Sequence, residues 1–266
     1  MWGTPRAEVL PPAEPLRCPS VTVHFIGAGP GAADLITVRG RNLLERCTVC
    51  LYAGSLVPAE LLTFCPPGAQ LIDTRDLALG QIVDELIMAH GAGHEIARLC
   101  SGDPSIFSAV TEQARHLAAA GVPYDITPGV PAFAAAAATL GQELTVPGVS
   151  QSVVLTRVAA RATPMPPGED LGTLGVSGAT LVLHLAVQRI DAVVALLLPR
   201  YGAGCPVAVV ARASRDDELV LRGTLADIAA QVRDARVRRT AVIIVGRVLA
   251  GGGRDSYLYS ALRARE

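Results

Sequence analysis

The sequence predicts an α/β protein with two domains, the first built on a mainly parallel sheet and the second on a mixed sheet. From Val21 onward, short β-branched or apolar runs alternate with longer helical patterns, which is typical of βαβ units. Around residues 141–150 this pattern gives way to Gly, Pro and Ser, which indicates a linker. A hairpin-like segment at residues 218–225 predicts antiparallel pairing in the second half. We therefore expect an extension at residues 1–20, one domain at 21–145 and another at 146–266.

The individual elements follow from the same patterns. In the first domain we expect strands at residues 21–26, 49–52, 70–73, 95–100 and 124–127, and helices at 34–46, 79–90, 108–120 and 131–140. In the second domain we expect strands at 152–156, 180–184, 207–211 and 241–246, and helices at 188–198 and 225–232. Residues 157–178 are rich in Pro and Gly and too long for an ordinary connection, which predicts a functional or mobile loop.

The charge composition removes several chemistries. The chain has 266 residues with 23 basic and 24 acidic side chains, and every basic one is arginine. A chain without lysine has no Schiff-base lysine and no Walker phosphate loop. The net charge of -1 and the aromatic content of 4% argue against nucleic-acid binding and base stacking. We expect no nucleic-acid partner.

Targeting signals are equally sparse. The first twenty residues carry five prolines and no continuous apolar block, so they do not form the hydrophobic region of a signal peptide. The sequence contains no run of eighteen consecutive apolar residues, the length that would predict a membrane span. We expect a cytoplasmic protein without a membrane partner.

Cysteine and histidine spacings do not predict a metal site. Cys47 and Cys50 form a C-x-x-C, which could be redox-active or half of a zinc site, but the surrounding strand pattern favours two buried side chains. His90 and His94 have an i, i+4 spacing, yet glycines lie between them. We assign these histidines to a turn.

A glycine-rich turn follows the first predicted strand. Gly27-Ala-Gly29-Pro30-Gly31 joins this strand to a helix, a place where anionic groups often bind. A dinucleotide site would need an acidic residue about twenty positions further on, and none is present at residues 51–55. Pro30 also lacks an N–H for a phosphate. The turn therefore suits close backbone approach to a neutral or cationic ligand, although glycines that merely permit a turn remain an alternative.

Two further turns extend this pattern. Residues 101–107 follow the strand at 95–100, and residues 128–132 follow the strand at 124–127. Because the carboxyl ends of parallel strands meet at one edge of a sheet, we expect the three turns to line one crevice.

The joint order of these motifs closely resembles the tetrapyrrole methylases. The resemblance rests on Gly27-x-Gly29-Pro30-Gly31-x-x-Asp34, Thr37-Val-Arg39-Gly40, Gly102-Asp103-Pro104 and Pro128-Gly129-Val130, and it spans residues 22–259. Other segments, at residues 52–57, 100–106, 156–166, 184–185 and 212–214, are similar to members that methylate a precorrin in cobalamin biosynthesis.

The resemblance implies a tetrapyrrole methylase-like fold, with a ligand cleft between the two domains, and a homodimer. It implies S-adenosylmethionine as cofactor and S-adenosylhomocysteine as product. Carried over by position, the cofactor contacts are Gly29, Pro30, Ser101, Gly102, Asp103, Ile106, Pro131, Ala132, Leu185, Ala213, Thr240 and Ala241. The chain departs from the family at Pro131, where relatives often have Ser or Thr, and at Leu185, where many have Met. It also lacks the aromatic residue and the proline expected within residues 214–218.

A tetrapyrrole substrate carries several carboxylates, which the planar fork of arginine binds well. The candidate substrate contacts are Ser55, Arg75, Arg157 and Arg161, with ordinary surface charge as the alternative for each arginine. Methyl transfer to carbon requires close in-line approach rather than a side-chain nucleophile, so Asp103 is the one possible catalytic residue. Asp103 either contacts the cofactor or caps the helix expected after it, and the two roles can coexist.

Other functions stay open at this point. A Rossmann-type oxidoreductase is disfavoured by the missing acidic residue. A binding module without catalysis is a second alternative, and methylation of another tetrapyrrole, such as uroporphyrinogen III, is a third.

Overall fold

A computed structural model describes residues 22–159 and 163–257, which form two five-stranded sheets. The expected extension at residues 1–20 lies outside the described residues. The first sheet contains β1 (Val23–Gly27), β2 (Val49–Tyr52), β3 (Gln70–Asp73), β4 (Ile96–Cys100) and β5 (Tyr124–Thr127). Its strand order is β3-β2-β4-β1-β5 and every pairing is parallel, which confirms the predicted mainly parallel sheet.

Helices cover both faces of this sheet. They are α1 (Val38–Leu44), α2 (Ala59–Leu62), α3 (Leu79–Gly91) and α4 (Val110–Ala119). A fifth helix, α5 (Ala132–Leu140), follows β5 along the chain. Successive residues of β1 point to opposite faces, so Phe25 packs with Leu86 and Leu117 while Ile26 packs with Leu44 and other residues on the opposite face. Burying each such side chain contributes roughly 1.5–3 kcal/mol relative to exposure.

The second sheet is mixed, as predicted. It contains β6 (Val153–Arg157), β7 (Thr180–His184), β8 (Pro206–Ala211), β9 (Leu219–Thr224) and β10 (Ala241–Val245), in the order β6-β7-β10-β8-β9. The β6–β7 pair is parallel and the other pairs are antiparallel. The accompanying helices are α6 (Leu171–Leu174), α7 (Ile190–Tyr201) and α8 (Ile228–Asp234).

Helix α5 connects the two halves. Although it directly follows β5, its residues Ala136 and Leu140 pack against Val182, Val210 and Ile244 of the second sheet. The second sheet is thereby covered by α7 and α8 on one face and by α5 on the other. The limits of the two expected domains, 21–145 and 146–266, stay a prediction.

Several local expectations were wrong. The helix expected at 34–46 begins only at Val38, because Ile36 and Thr37 are extended and the Thr37 hydroxyl caps α1 by accepting from the Gly40 N–H at 3.1 Å. His90 lies in the last turn of α3 rather than in a separate turn, since a glycine near a helix end is tolerated. The long loop expected at 157–178 contains α6, which Asp170 caps.

The buried positions expected for Cys47 and Cys50 can be compared with the structure. Cys47 and Cys50 are 1% and 0% exposed, which confirms that both side chains are buried. In the described ranges, each helix is either too short or too polar to cross a bilayer. The same ranges contain no group of three or more His, Cys, Asp or Glu side chains that could hold a metal ion.

Candidate active site

Three loops converge at the carboxyl edge of the first sheet. Gly29 and Gly102 pair as an isolated antiparallel bridge, in which Gly29 N donates to Gly102 O at 3.2 Å and Gly102 N to Gly29 O at 2.8 Å. A Cβ on Gly27 would lie 2.4 Å from the Gly129 backbone, and one on Gly129 would lie 2.3 Å from the Gly102 oxygen. Only glycine fits at these contacts, so the glycines allow the three loops to pack against each other.

Several N–H groups of these loops are already paired within the protein. Ala28 N donates to the Cys100 oxygen at 2.7 Å, and Ala32 N donates to the Ser214 hydroxyl at 3.0 Å. Gly129 N donates to the Asp103 carboxylate at 2.8 Å. A pyrophosphate cradle needs several free N–H groups, so this geometry agrees with a glycine turn that does not bind phosphate.

A cavity of about 340 Å³ lies where these loops face the second sheet. Eleven of the twelve expected cofactor contacts line it: Pro30, Ser101, Gly102, Asp103, Ile106, Pro131, Ala132, Leu185, Ala213, Thr240 and Ala241. The twelfth, Gly29, is bonded to Gly102 behind this lining. Phe107 belongs to the turn at 101–107 that was expected to line the crevice, although not as a cofactor contact. Sequence reasoning missed the other lining residues, which are Leu56, His184, Val187, Gln188, Val210, Arg238, Arg239 and Val242.

Asp103 provides an ionised carboxylate in this lining. Burial alone would raise the pKa of Asp103, but hydrogen bonds from Ser105 and from the Gly129 N–H outweigh it and hold the pKa below its ordinary value. The Ser105 N–H donates to the carboxylate at 2.8 Å, and the Ser105 hydroxyl donates to the same oxygen. Asp103 does not cap a helix, because α4 begins only at Val110. The carboxylate instead orders the turn after β4 and ties it to the loop after β5.

The backbone around the cavity is strained. Among the described residues, seven that are not glycine have a positive φ: Phe107, Ala109, Leu185, Arg212, Ser214, Arg236 and Thr240. Each lines the cavity or lies within two residues of a lining residue. Such conformations cost of order 1–3 kcal/mol each and persist where the surrounding structure imposes them. Their confinement to one place supports a ligand site there.

His184 ends β7 on the side of the sheet that faces α5. Its ring lies 5.6 Å from that of Phe107 and 6.4 Å from that of Phe133. The Nε2 atom is buried without a hydrogen-bond partner, and burial lowers the pKa of His184. The imidazole is therefore neutral at pH 7.

A second, larger cavity of about 710 Å³ adjoins the first. Pro30, Leu56 and Ala213 line the smaller cavity, while their chain neighbours Gly31, Ser55 and Ser214 line the larger one. A single layer of backbone thus separates the two cavities. Both contain residues from the first and the second half of the chain.

The expected substrate contacts are distributed unevenly. Ser55 and Arg75 line the larger cavity, where Arg75 forms an ion pair with Asp73 at 2.7 Å. That pair lowers the pKa of Asp73, chiefly through the Arg75 N–H, and raises the pKa of Arg75. Arg157 lines neither cavity; it donates to the Thr163 oxygen at 2.8 Å, and its second terminal nitrogen is buried without a partner. Arg161 lies outside the described residues.

Arg215 is a contact that sequence reasoning missed. It lies in the loop after β8, and its guanidinium donates to the Ser55 oxygen at 3.1 Å and to the Leu56 oxygen at 3.0 Å. These bonds join residues 160 and 159 positions apart, so no local pattern reveals them. Arg215 holds the wall between the two cavities.

Comparisons with known proteins agree with this geometry. The profile of the family described as Tetrapyrrole (Corrin/Porphyrin) Methylases matches residues 22–229. A precorrin-4 C(11)-methyltransferase from Rhodococcus erythropolis is 65% identical over 246 residues, which cover 92% of this chain and 99% of that protein.

Two solved structures share the fold. A cobalt precorrin-4 methyltransferase, described as a cobalamin biosynthetic enzyme, superposes with a TM-score of 0.83 at 36% identity, covering 86% of this chain and 95% of that one. A uroporphyrin-III C-methyl transferase from Thermus thermophilus, complexed with S-adenosyl homocysteine, has a TM-score of 0.73 at 27% identity, with 86% and 93% covered. The chain therefore belongs to the tetrapyrrole (corrin/porphyrin) methylase family.

Proposed function

We propose that the protein transfers a methyl group from S-adenosylmethionine to carbon 11 of precorrin-4, giving the precorrin-5 level intermediate of cobalamin biosynthesis. One observation carries this proposal: relatives named for this reaction are 65% and 63% identical over more than nine-tenths of the chain. Membership of the family and the cavity at the carboxyl edge of the first sheet support it.

The smaller cavity is the proposed cofactor site. Its volume of about 340 Å³ lies within the usual range for small-molecule sites, and most of its lining is apolar. S-adenosylmethionine, when bound, supplies a methyl group on a positively charged sulfur. The Asp103 carboxylate stays ionised there and can contact a positively charged group of the ligand, while Arg238 and Arg239 in the same lining can contact a negatively charged group. The twelve expected contacts, including Gly29 behind the lining, are proposed to hold this cofactor.

The chain promotes transfer by holding the two reactants together. In-line positioning can account for about 7–11 kcal/mol of barrier lowering, so a nucleophilic side chain is not required. The three packed glycine loops and the strained residues give the cavity a fixed shape, which this mechanism needs. Asp103 acts by contacting the cofactor, and we assign no proton acceptor.

The larger cavity is the proposed tetrapyrrole site. It has about twice the volume of the cofactor cavity and shares a thin wall with it, so the two ligands would lie side by side. Arg75 can bind a substrate carboxylate while Asp73 fixes its orientation. Ser55 lies in the same lining, and Arg157 and Arg161 are proposed to contact carboxylates from the second half.

Titration calorimetry tests the cofactor assignment. We expect S-adenosylhomocysteine to bind wild-type protein and NAD not to bind. Binding of NAD without S-adenosylhomocysteine would overturn the proposal in favour of an oxidoreductase.

Incubation with precorrin-4 and S-adenosylmethionine carrying a ¹³C-labelled methyl group tests the reaction. NMR should place the label on carbon 11, and no transfer to any tetrapyrrole would indicate a binding module. Parallel reactions with cobalt-precorrin-4 and uroporphyrinogen III identify the preferred substrate. Cobalt-precorrin-4 is the second candidate because the solved cobalt precorrin-4 methyltransferase has the higher TM-score of the two structures compared above.

Arg75→Ala tests the substrate site. We expect a higher KM for the tetrapyrrole with S-adenosylhomocysteine affinity unchanged. Arg41→Ala is the matched control, because Arg41 also forms an exposed ion pair, with Glu45, but lines neither cavity.

The assembly and location also remain proposals. We propose a homodimer in the cytoplasm, on the basis of the family resemblance and of the free thiols carried by the five cysteines within the described ranges. Sedimentation equilibrium of purified protein tests the dimer, and a monomer at micromolar concentration would contradict it.

A further inference from the structure

Three cysteines meet beside the first sheet, away from the cofactor cavity. Cys47 follows α1, Cys50 lies within β2, and Cys65 follows α2. The Cys47 thiol donates to the Cys65 sulfur, with the two sulfur atoms 3.7 Å apart. Cys47 and Cys50 are buried, whereas Cys65 is partly exposed. One accessible thiol is therefore in contact with one protected thiol.

The contacts among the three sulfurs give them different proton affinities. Hydrogen bonds from Cys47 and then Cys50 lower the pKa of Cys65 to about 4. A hydrogen bond with Cys50 lowers the pKa of Cys47, but the hydrogen bond to Cys65 and burial outweigh it and raise the pKa to about 12. Contacts with Cys47 and Cys65, with burial, also raise the pKa of Cys50. Of the three sulfurs, Cys65 is thus the one whose thiolate form its neighbours favour, and the thiolate is the form that attacks an oxidant.

We propose that Cys47 and Cys65 form an intramolecular disulfide when the protein meets a peroxide. In the first step, the Cys65 thiolate attacks hydrogen peroxide, the O–O bond breaks, and a sulfenic acid forms with release of hydroxide. In the second step, the Cys47 sulfur attacks the Cys65 sulfur, the S–O bond breaks, and the Cys47 proton leaves with the oxygen as water. The proton that Cys65 released on ionisation converts the hydroxide into water, so in total the two thiols lose two hydrogen atoms and the peroxide is reduced to two waters.

The position of the pair gives the disulfide a structural consequence. The segment between the two cysteines includes α2, and Pro58, Ala59, Glu60 and Leu62 line the larger cavity. Cys47 is anchored in the core two residues before β2, whereas Cys65 lies three residues after Leu62, the last cavity-lining residue of the segment. The disulfide would therefore tether the end of this segment to the sheet.

Peptide mapping after peroxide treatment tests the pairing directly. No Arg or Lys lies between Cys47 and Arg75, so trypsin leaves all three cysteines in one peptide. A protease specific for Glu cuts after Glu45 and Glu60 and separates Cys65 from the other two. We expect a disulfide-linked pair of peptides, residues 46–60 and 61–85, that a dithiol reductant separates.

Single variants identify the partner of Cys65. All are made in a Cys18→Ser background. The linked peptides should persist in Cys50→Ser and in the control Cys205→Ser, and should be lost in Cys47→Ser. Linkage that survives in Cys47→Ser, or oxidation of Cys65 without any linkage in the parent protein, would overturn the proposal.

A kinetic readout separates a reactive thiol from a merely accessible one. We expect the rate at which iodoacetamide labels Cys65 to change less than ~3-fold between about pH 6 and about pH 9, since labelling follows the thiolate fraction and the pKa of Cys65 is about 4. A rate that rises more than ~100-fold over this range, as expected for an ordinary thiol, would contradict the assignment of Cys65 as the attacking thiolate. Neither test uses methyl transfer, so the outcome is independent of the proposed function.

Discussion

Replacing Gly129 with alanine tests whether close packing of the glycine loops creates the cofactor cavity. The new Cβ would lie 2.3 Å from the Gly102 oxygen and 2.7 Å from the Gly27 Cα. Both neighbours are backbone atoms, so no side-chain rotation relieves the contact. An ordinary contact begins near 3.4 Å, so the loops must separate by about 1 Å.

The expected magnitudes follow from this displacement. Overpacking destabilises proteins by roughly 1–3 kcal/mol, and Gly129→Ala should reach the upper end because backbone must move. This predicts a Tm roughly 6–12 °C lower. A shift of about 1 Å in a positioning element reduces catalysis ~10²-fold, so methyl transfer should fall by at least that factor.

Thermal unfolding, calorimetry with S-adenosylhomocysteine and the methyl-transfer assay measure the three effects. Gly80→Ala is the control, because Gly80 lies in the first turn of α3 with nothing within 4 Å of an added Cβ. It should be neutral or stabilising by about 0.4–1 kcal/mol, with binding unchanged. If Gly129→Ala keeps the Tm and the affinity of Gly80→Ala, the loops do not depend on this contact and the reasoning is refuted.

Three further predictions follow from the same site. Folding lowers the pKa of Asp103 below its ordinary 3.8, so the ionised carboxylate stabilises the protein above pH 3.8, and this stabilisation is lost as the pH falls through the folded pKa. The Tm of Asp103→Asn should therefore fall less on acidification than the Tm of the wild type. The variant should also bind S-adenosylhomocysteine at least ~10-fold more weakly. Burial lowers the pKa of His184 below 6.5, so protonation favours the unfolded state and stability falls as the pH drops below 6.5. His184→Phe should therefore flatten this part of the plot of Tm against pH. An unchanged slope would contradict the burial of the imidazole. Arg215→Ala removes two hydrogen bonds between the two halves of the chain and should lower the free energy of unfolding in urea by about 1.5–3 kcal/mol. Arg233→Ala is the control: it breaks an exposed ion pair with Asp191 and should lower the free energy of unfolding by less than about 1 kcal/mol.

The strands were predictable because their signal is local. All five residues of β4 are buried, so this strand reads as a continuous apolar run interrupted only by Arg98. The strands at 49–52, 70–73, 124–127 and 180–184 begin and end where the sequence predicts. The packing of α5 on the second sheet has no comparable local signal, because its alanine-rich face could cover either sheet.

The cofactor cavity was predictable for a related reason. Its lining comes mainly from turns at the carboxyl ends of strands, and Gly and Pro mark those turns in the sequence. His184 was missed because only the fold brings the end of β7 next to Phe107 in the turn after β4. Nothing local indicates a positive φ at Leu185 or Thr240, since both residue types avoid this conformation in isolation.

Two departures of this chain from its family, Pro131 and Leu185, are explained by how the backbone shapes the cavity. Pro131 lacks an N–H, but its oxygen accepts from the N–H groups of Ala134 and Ala135 at the start of α5, so the fold uses only its carbonyl. Leu185 is 66% exposed and is placed by its positive φ, so an apolar side chain of similar size can replace Met there. The geometry at both positions is set by the backbone and its neighbours. The site should therefore tolerate substitution of Pro131 and Leu185 far better than substitution of Gly27 and Gly129. The two glycines contribute no side chain, but the loops can pack together only because these residues lack a Cβ.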